Sequence, residues 1–387
     1  MSEQNSLNLI AGYSAAVAAK LSLEQGGSDF YEVRGEVGST VAQLHPKRLS
    51  LEVVEIIEET PTTKTFRLMM ADGKMLPPFQ AGQYINLFVD INGVHTARPY
   101  AISSSPSQRG HYDVTVKRAA GGFVSSYLLD KLAVGQLLTS SGPMGTFHHN
   151  PLFHGDDLVF LAGGSGSAPA RSILLNILDR DLPQRFHLIY VNSYVDDVIF
   201  SEEFRELAER HKQFRLNELI SRPPAWYQGL SGRLTRKILK QQLGDIDSKM
   251  FYICGPTPFN ESCVAILKEL GVPCRRIRVE ANGAPRTPNE QEGWPPGVAL
   301  EGEVQVTVQG RGSFRSKVGE PLLNALERNG YSVENACRSG ECSLCRVKLV
   351  SGSVFNPQEA HLRKSDRDFG WIYSCVAFPT SDIVVLL

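Results

Sequence analysis

Three cysteines crowd one nine-residue stretch near the C-terminal end of this chain: Cys337, Cys342 and Cys345, in the run Cys-Arg-Ser-Gly-Glu-Cys-Ser-Leu-Cys. A fourth, Cys375, follows in Tyr-Ser-Cys-Val. Few features constrain a fold as tightly. A loop that turns three thiolates onto one small inorganic centre has little freedom, and the segment carrying the fourth must return to it. Gly340 stands mid-loop, where a positive φ costs a residue without Cβ little. The N–H groups of such a loop aim at sulfur and tune its electron affinity.

Two metal chemistries use cysteine in this way. Zinc favours close pairs of Cys, or of Cys with His, and Cys375 has no close companion. The spacing C-x4-C-x2-C…C is that of a plant-type [2Fe–2S] site. Cys337, Cys342, Cys345 and Cys375 are therefore read as ligands of such a cluster, with zinc or inert buried thiols as the alternatives. Cys263 and Cys274 fall outside the pattern and are read as ordinary thiols. A [2Fe–2S] cluster carries one electron at a time, so the chain is expected to move electrons.

At 387 residues the chain has room for two or three domains. Its net charge of −1 gives no argument for nucleic acid or an anionic membrane as a partner. No stretch approaches the roughly 18–20 apolar residues of a membrane span. The start, Met-Ser-Glu-Gln-Asn, lacks the basic region of a signal peptide. Four of the seven cysteines are assigned as ligands, so a reducing, cytoplasmic setting is expected rather than a disulfide scaffold.

Residues 1–47 read as an extension, with an Ala-rich helix over Leu7–Leu23 stopped by Gly26 and Gly27. That helix packs on its own protein or docks a partner. Residues 48–150 turn to short strands, among them Leu51–Ile57, Thr65–Met70, Tyr84–Val89 and Tyr112–Arg118. Asp72-Gly73, Asn92-Gly93 and Gly121-Gly122 punctuate them. This pattern predicts an antiparallel β-barrel or sandwich. Over 151–283 strands alternate with helices, which predicts an α/β domain with a parallel sheet and helices on both faces. Residues 284–300, rich in Pro, read as a linker. Residues 301–387 read as a small α+β domain holding the cysteines, with a helix over Pro321–Asn329.

Chemistry-bearing segments punctuate the first two domains. In Arg98-Pro-Tyr-Ala-Ile-Ser-Ser104 a strand carries a cation for a phosphate and, at Tyr100, a ring that can stack. Gly122, Val124, Ser125 and Ser126 sit at a helix start, where free N–H groups receive anions. Gly142-Pro-Met-Gly-Thr-Phe147 forms a second turn. Gly163, Gly164, Gly166 and Pro169 lie between a strand and a helix, a partial dinucleotide turn with Pro169 in the last glycine's slot. Cys254, Gly255 and Pro256 end a later strand of the same sheet. Ligands bind beyond the carboxyl ends of such strands, so both segments are expected to flank one crevice. His148, His149 and His154 fall at a domain junction and are read as loop polarity rather than a metal site.

Taken in order, these segments resemble the ferredoxin–NADP reductase superfamily, in the group that fuses a C-terminal plant-type ferredoxin to the reductase. Oxygenase reductases and the phenylacetyl-CoA epoxidase reductase belong to that group. The resemblance covers about residues 48–387 and implies a flavin β-barrel, a nicotinamide-binding α/β domain and a β-grasp ferredoxin. It implies that Arg98, Tyr100, Ala101 and Ile102, with Gly122–Ser126, hold a flavin. Gly163–Pro169 with Cys254, Gly255 and Pro256 hold a nicotinamide dinucleotide. Cys254 stands near the reacting carbon, and Glu280 helps move the flavin proton.

This sequence departs from the family at two places. Ala101 stands where the family has a Ser or Thr whose hydroxyl bonds flavin N5, so that bond must come from a backbone N–H or from a neighbour such as Ser103, or be absent. Glu280-Ala281-Asn282 replaces Glu-Ser-Phe, which keeps the carboxylate and loses the aromatic. The turn Gly142–Phe147 favours FAD over FMN. Asn192–Asp197 offers no cation for a 2′-phosphate, which favours NADH over NADPH, although Arg222 is a possible phosphate partner. The expected activity is an NAD(P)H:acceptor oxidoreductase that passes electrons to an acceptor protein such as an oxygenase component. The alternatives are a corrinoid or hybrid-cluster acceptor, or an electron-carrier subunit with an idle nucleotide site.

Overall fold

The computed structural model describes residues 13–25, 48–280, 283–285, 287–335, 337–357, 360 and 362–387. The chain divides into two units, Met1–Lys47 and Arg48–Leu387. In the first, helix α1 covers Tyr13–Gln25. The N-terminal part of the expected helix, Leu7–Gly12, and Gly26 and Gly27 lie outside the described residues.

The second unit contains three main sheets. The first is built from β1 (Leu49–Thr60), β2 (Thr63–Met70), β3 (Tyr84–Ile91), β4 (Val94–Ala101), β5 (Tyr112–Lys117) and β6 (Leu137–Ser140), in the order β4-β3-β6-β1-β2-β5. Every pair is antiparallel. A bridge between Ile102, just past β4, and Val114 on β5 closes the sheet on itself. Period-two alternation decides the faces. Leu51, Val53, Phe66, Leu68, Ile85, Leu87, Val114 and Val116 turn inward and are fully or almost fully buried. Asp113, Thr115 and Lys117 therefore point out of the barrel. Helix α2 (Phe123–Lys131) packs Val124, Leu128 and Leu129 against this core.

The second sheet contains β7 (Asp157–Gly163), β8 (Arg185–Asn192), β9 (Phe214–Ile220), β10 (Leu230–Ser231), β11 (Met250–Cys254) and β12 (Ile277–Val279). All are parallel, in the order β10-β9-β8-β7-β11-β12. Both faces are covered, as near-continuous apolar strands require. On one face α3 (Ser167–Asp179) and α4 (Ser201–Arg210) pack Ile173, Leu174 and Phe204 against Leu158, Phe160 and Leu188. On the other, α5 (Arg236–Leu243) and α6 (Thr257–Glu269) pack Leu239 and Leu267 against Val159, Leu161 and Ile253.

The third sheet is mixed. It joins β13 (Glu303–Val308), β14 (Gly312–Lys317), β15 (Arg346–Ser351), β17 (Trp371–Tyr373) and β19 (Ile383–Leu386) in the order β14-β13-β19-β15-β17. Only β13 and β19 run parallel within it. A small ribbon pairs β16 (Val354–Phe355) with β18 (Phe378–Pro379). Helix α7 (Leu322–Arg328) buries Leu322 and Leu326 on the sheet, and the short α8 (Lys364–Asp368) precedes β17.

The segment read as a linker is not a loose tether. Trp294 lies 5.1 Å from the Phe355 ring and 6.4 Å from Phe378, and its indole N–H donates to Val298 O. An aromatic worth burying gives this Pro-rich stretch a fixed course over the β16–β18 ribbon.

Candidate functional site

Strand order in the second sheet reverses at β7, which has β8 on one side and β11 on the other. That reversal opens a crevice at the strand ends, beside Gly163 and Cys254. The register pairs Cys254 with Ala162, so the glycine-rich turn and Cys254-Gly255-Pro256 leave the sheet side by side. The two segments meet closely. A Cβ on Gly166 would lie 1.8 Å from Cys254 O, so this position admits only glycine. Gly164 adopts φ +54°, and Gly163 has Phe259 packed against it. Pro169 falls in the first turn of α3, where the fixed φ fits. Two helices, α3 and α6, thus begin at the crevice with their N–H ends toward it.

A cavity of about 290 Å³ opens there, and all three sheet regions border it. The barrel contributes Tyr84, Tyr100, Ala101 and Thr115. The parallel-sheet region contributes Gly166, Pro169, Cys254, Gly255 and Pro256, with Glu280 beyond β12. The cysteine loop contributes Cys337 and Ser339.

Arg98 lies on β4 outside the cavity lining. Its Nη1 donates to Thr96 Oγ1 at 2.8 Å and to Ala97 O at 2.7 Å, neither of them charged. Burial, with Arg338 nearby, lowers its pKa to about 10. A buried cation bonded to neutral acceptors beside a second cation fits an anionic group such as a flavin phosphate. Tyr100 borders the cavity with its hydroxyl pushed by burial to about 12. Gly122 caps α2, and Ser125 Oγ accepts from Ala119 N at 3.1 Å, which folds the Gly122–Ser126 turn back on itself. Val124 is buried in the barrel core, and Ser126 is partly exposed.

Two expected flavin contacts do not reach the cavity. Ile102 is fully buried in the barrel core and its N–H donates to Gln83 O at 3.0 Å. Ser103 is also fully buried; its hydroxyl donates to Asp113 O at 3.1 Å and meets Thr115 Oγ1 at 2.9 Å. The hydroxyl that borders the cavity near Ala101 is that of Thr115, two positions from Asp113 on the outward face of β5. Outward alternation on β5 was the only sequence signal for it.

Glu280 is fixed through its backbone, donating N–H to Ile253 O at 2.9 Å and accepting from Asn260 Nδ2 at 3.0 Å. Burial raises its carboxyl pKa well above the ordinary range, and Glu341 and Cys337 add to the effect. Ala281 and Asn282, where the family's aromatic is lost, lie outside the described residues.

Cys337, Cys345 and Cys375 are buried, and Cys342 is partly exposed. Cys337 meets the side chains of Cys342 and Cys375, and Cys345 meets Cys375. The N–H groups of Ser339, Glu341 and Cys342 each donate to Cys337 Sγ at 3.4 Å. Gly340 adopts φ +83°, and a Cβ there would stand 3.0 Å from Val376 Cγ2. Four thiols in pairwise contact under a fan of N–H donors fit a two-iron cluster, whose ligands are divided between two metals. His154 Nδ1 meets Tyr252 Oη at 2.6 Å, and His149 Nε2 meets Gly155 O at 2.8 Å.

Asp196 and Asp197 stand in the turn just before α4. No side chain caps α4. Asp197 instead joins the parallel-sheet region to the barrel, accepting from the Thr60 and Thr62 hydroxyls at 2.7 Å each and from Lys117 Nζ at 2.7 Å. Arg222 Nη1 donates to Tyr194 Oη at 2.9 Å beyond β8.

Comparison with known proteins matches this division. Residues 50–149 match the oxidoreductase FAD-binding domain, 160–265 the oxidoreductase NAD-binding domain and 306–380 the 2Fe-2S iron-sulfur cluster binding domain. The glycine betaine monooxygenase reductase subunit of Pseudomonas aeruginosa is 31% identical over 86% of this chain and 93% of its own length. The NADH oxidoreductase HCR of Escherichia coli is 30% identical over 87% of this chain and 96% of its own. In fold, the chain is similar to phthalate dioxygenase reductase, with a TM-score of 0.62 and 20% identity over 88% of this chain and 98% of that one.

Proposed function

The chain belongs to the ferredoxin–NADP reductase superfamily, in the group with a C-terminal [2Fe–2S] domain, and from that premise we propose that it carries electrons from NADH to a separate oxygenase component. It is an oxidoreductase with FAD-binding, NAD-binding and 2Fe-2S domains. The observation that carries the proposal is a cavity bordered by residues of all three. Bound FAD supplies the exchange between hydride and single electrons.

Each group of residues has a task. Arg98 neutralises the flavin phosphate, and the N–H groups at Gly122–Ser126 receive the pyrophosphate. Tyr100 and Tyr84 offer flat walls for a ring. Gly163, Gly164, Gly166 and Pro169 let the nicotinamide pyrophosphate approach α3. Gly255 and Pro256 hold Cys254 beside the nicotinamide ring, where orientation governs rate. Glu280 holds a proton at its carboxyl. Cys337, Cys342, Cys345 and Cys375 bind the cluster, and the three N–H donors on Cys337 disperse its charge.

Arg222 already bonds Tyr194 beyond β8, and the carboxylate of Asp196 in the turn after Tyr194 opposes a 2′-phosphate, which supports NADH. The name of the Escherichia coli relative accords with this choice. A relative that acts with a monooxygenase supports an oxygenase as acceptor. Cysteines outside any disulfide suit the cytoplasm; among the described residues no helix is long and apolar enough to cross a membrane.

Cys345→Ser tests the relay. Ferricyanide reduction by NADH persists and cytochrome c reduction falls to background. Loss of both activities, or of neither, rejects the order drawn here.

A further inference from the structure

The face of β5 turned away from the barrel core carries a buried line of hydroxyls out of the cavity. Thr115 borders the cavity and is 5% exposed. Directly opposite in the ladder stands Thr65 of β2, 1% exposed, with the two Oγ1 atoms 2.9 Å apart. Thr65 donates to Glu59 Oε1 at 2.6 Å. Glu59 is partly exposed near the end of β1, so the line ends at solvent.

Proton counting gives the line a direction. Thr65 gives its one hydrogen to Glu59. Ser103 donates to Asp113 O or shares a hydrogen with Thr115, whose own hydrogen turns to Ser103 or to Thr65. Turned to Thr65 it completes Thr115→Thr65→Glu59, and the Thr115 oxygen is then open to accept from the cavity. At the far end, burial raises the Glu59 pKa. The Thr65 bond and Arg171 oppose that rise, while Glu203 and Asp113 add to it. Arg67 and His111 stand behind Asp113, and Arg171 is held by Glu203.

The reaction under "Proposed function", on which this inference rests, needs such an exit. A dihydronicotinamide gives up one hydride, equal to two electrons and a proton. The electrons leave singly for the iron–sulfur centre, and one proton per turnover stays behind in a cavity bordered by three regions. Ala101 lacks a hydroxyl to take it, and Ser103 does not reach the cavity. We propose that Thr115, Thr65 and Glu59 form the proton exit from the flavin–nicotinamide cavity, with Glu59 passing the proton to solvent.

The test uses the full-length holoprotein with Thr65→Val, Thr65→Ser and Glu59→Gln. Infrared difference spectra across a pH titration, without turnover, identify the Glu59 carboxyl band as the one absent in Glu59→Gln. That band shifts in Thr65→Val and is restored in Thr65→Ser. In stopped flow, bleaching by NADH stays within about twofold in every variant. Release of electrons to cytochrome c falls about tenfold or more in Thr65→Val and Glu59→Gln, loses its solvent deuterium effect, and recovers in Thr65→Ser. An unchanged release rate and isotope effect in both variants overturns the exit. So does a carboxyl band indifferent to Thr65→Val. Failure of NADH to bleach the unmodified protein overturns the functional reading instead, which separates the two.

Discussion

Two seams hold the barrel to its neighbours, and they are built differently. Toward the parallel sheet the seam is deep and rich in polar contacts. Asp197 gathers Thr60, Thr62 and Lys117. Arg171 donates to Ser103 O at 3.0 Å, Ser172 to Ser104 O at 2.8 Å, and Arg278 to Thr146 O at 2.8 Å. Phe147 leaves the barrel side to enter the parallel-sheet core, edge-on to Phe160 and Tyr252. Toward the cysteine domain the contacts between described residues are lighter. Arg338 donates to Thr96 Oγ1 at 3.1 Å, and Arg48 pairs with Glu334 at 3.1 Å with both side chains exposed. The difference follows the chemistry. Hydride transfer makes and breaks bonds and needs its partners in near-attack geometry. Single-electron transfer makes no bond and tolerates a lighter hold.

Breaking the deep seam has the largest expected effect. Asp197→Ala strands Lys117 and two threonine hydroxyls. It is expected to cost about 1–3 kcal/mol in a denaturant titration and to slow NADH bleaching by about 10- to 100-fold through misplaced rings. An unchanged bleaching rate would mean the seam does not set ring geometry.

Arg338→Ala tests the lighter seam at its best-buried contact. Arg338 also pairs with Glu327 and with Asn324 Oδ1, so it ties the cysteine loop to α7 and to the barrel at once. A docking contact worth about 1.4 kcal/mol changes a docked population about tenfold. Cytochrome c reduction is expected to fall by about that factor while ferricyanide reduction holds; equal loss of both would place Arg338 in flavin binding.

Acid separates the seams further. Burial alone would raise the Asp197 pKa, but hydrogen bonds from Lys117, Thr60 and Thr62 hold it below the ordinary value. Its contribution is fully present above the unfolded carboxyl pKa of about 3.9 and is lost as pH falls through the lower folded value. His154 acts earlier. Burial lowers its pKa to about 4, so an unfolded imidazole with a pKa of about 6.5 takes up a proton first. Stability therefore falls as pH drops from that value toward 4, and His154→Gln should flatten the fall in thermal melts. The smallest effect belongs to Arg48→Ala, less than about 1 kcal/mol and erased by salt.

Much of the site was legible because its signals are local. Cysteine spacing, the Gly163–Pro169 turn and Arg98-Pro-Tyr each need only neighbouring residues to be recognised. The helices α5 and α6 and strand β6 carry no such local signal, because their periodicity is short or interrupted. Ser103 and Ile102 were assigned to the cavity by proximity in sequence to Ala101. The bridge from Ile102 to Val114 turns that stretch into the barrel wall, and Thr115 takes the place at the cavity.

By itself the sequence determined the kind of centre at the C-terminus, the alternation of strands that makes a barrel and then a parallel sheet, and the order of the three regions. These depend on periods and spacings within a few residues. Tertiary structure alone decided that Asp197 is a clasp rather than a helix cap, that Trp294 pins the linker, and that Thr65 and Glu59 stand behind Thr115. Each of these depends on a partner far along the chain, and strand register with its inward and outward faces decides which distant side chains meet.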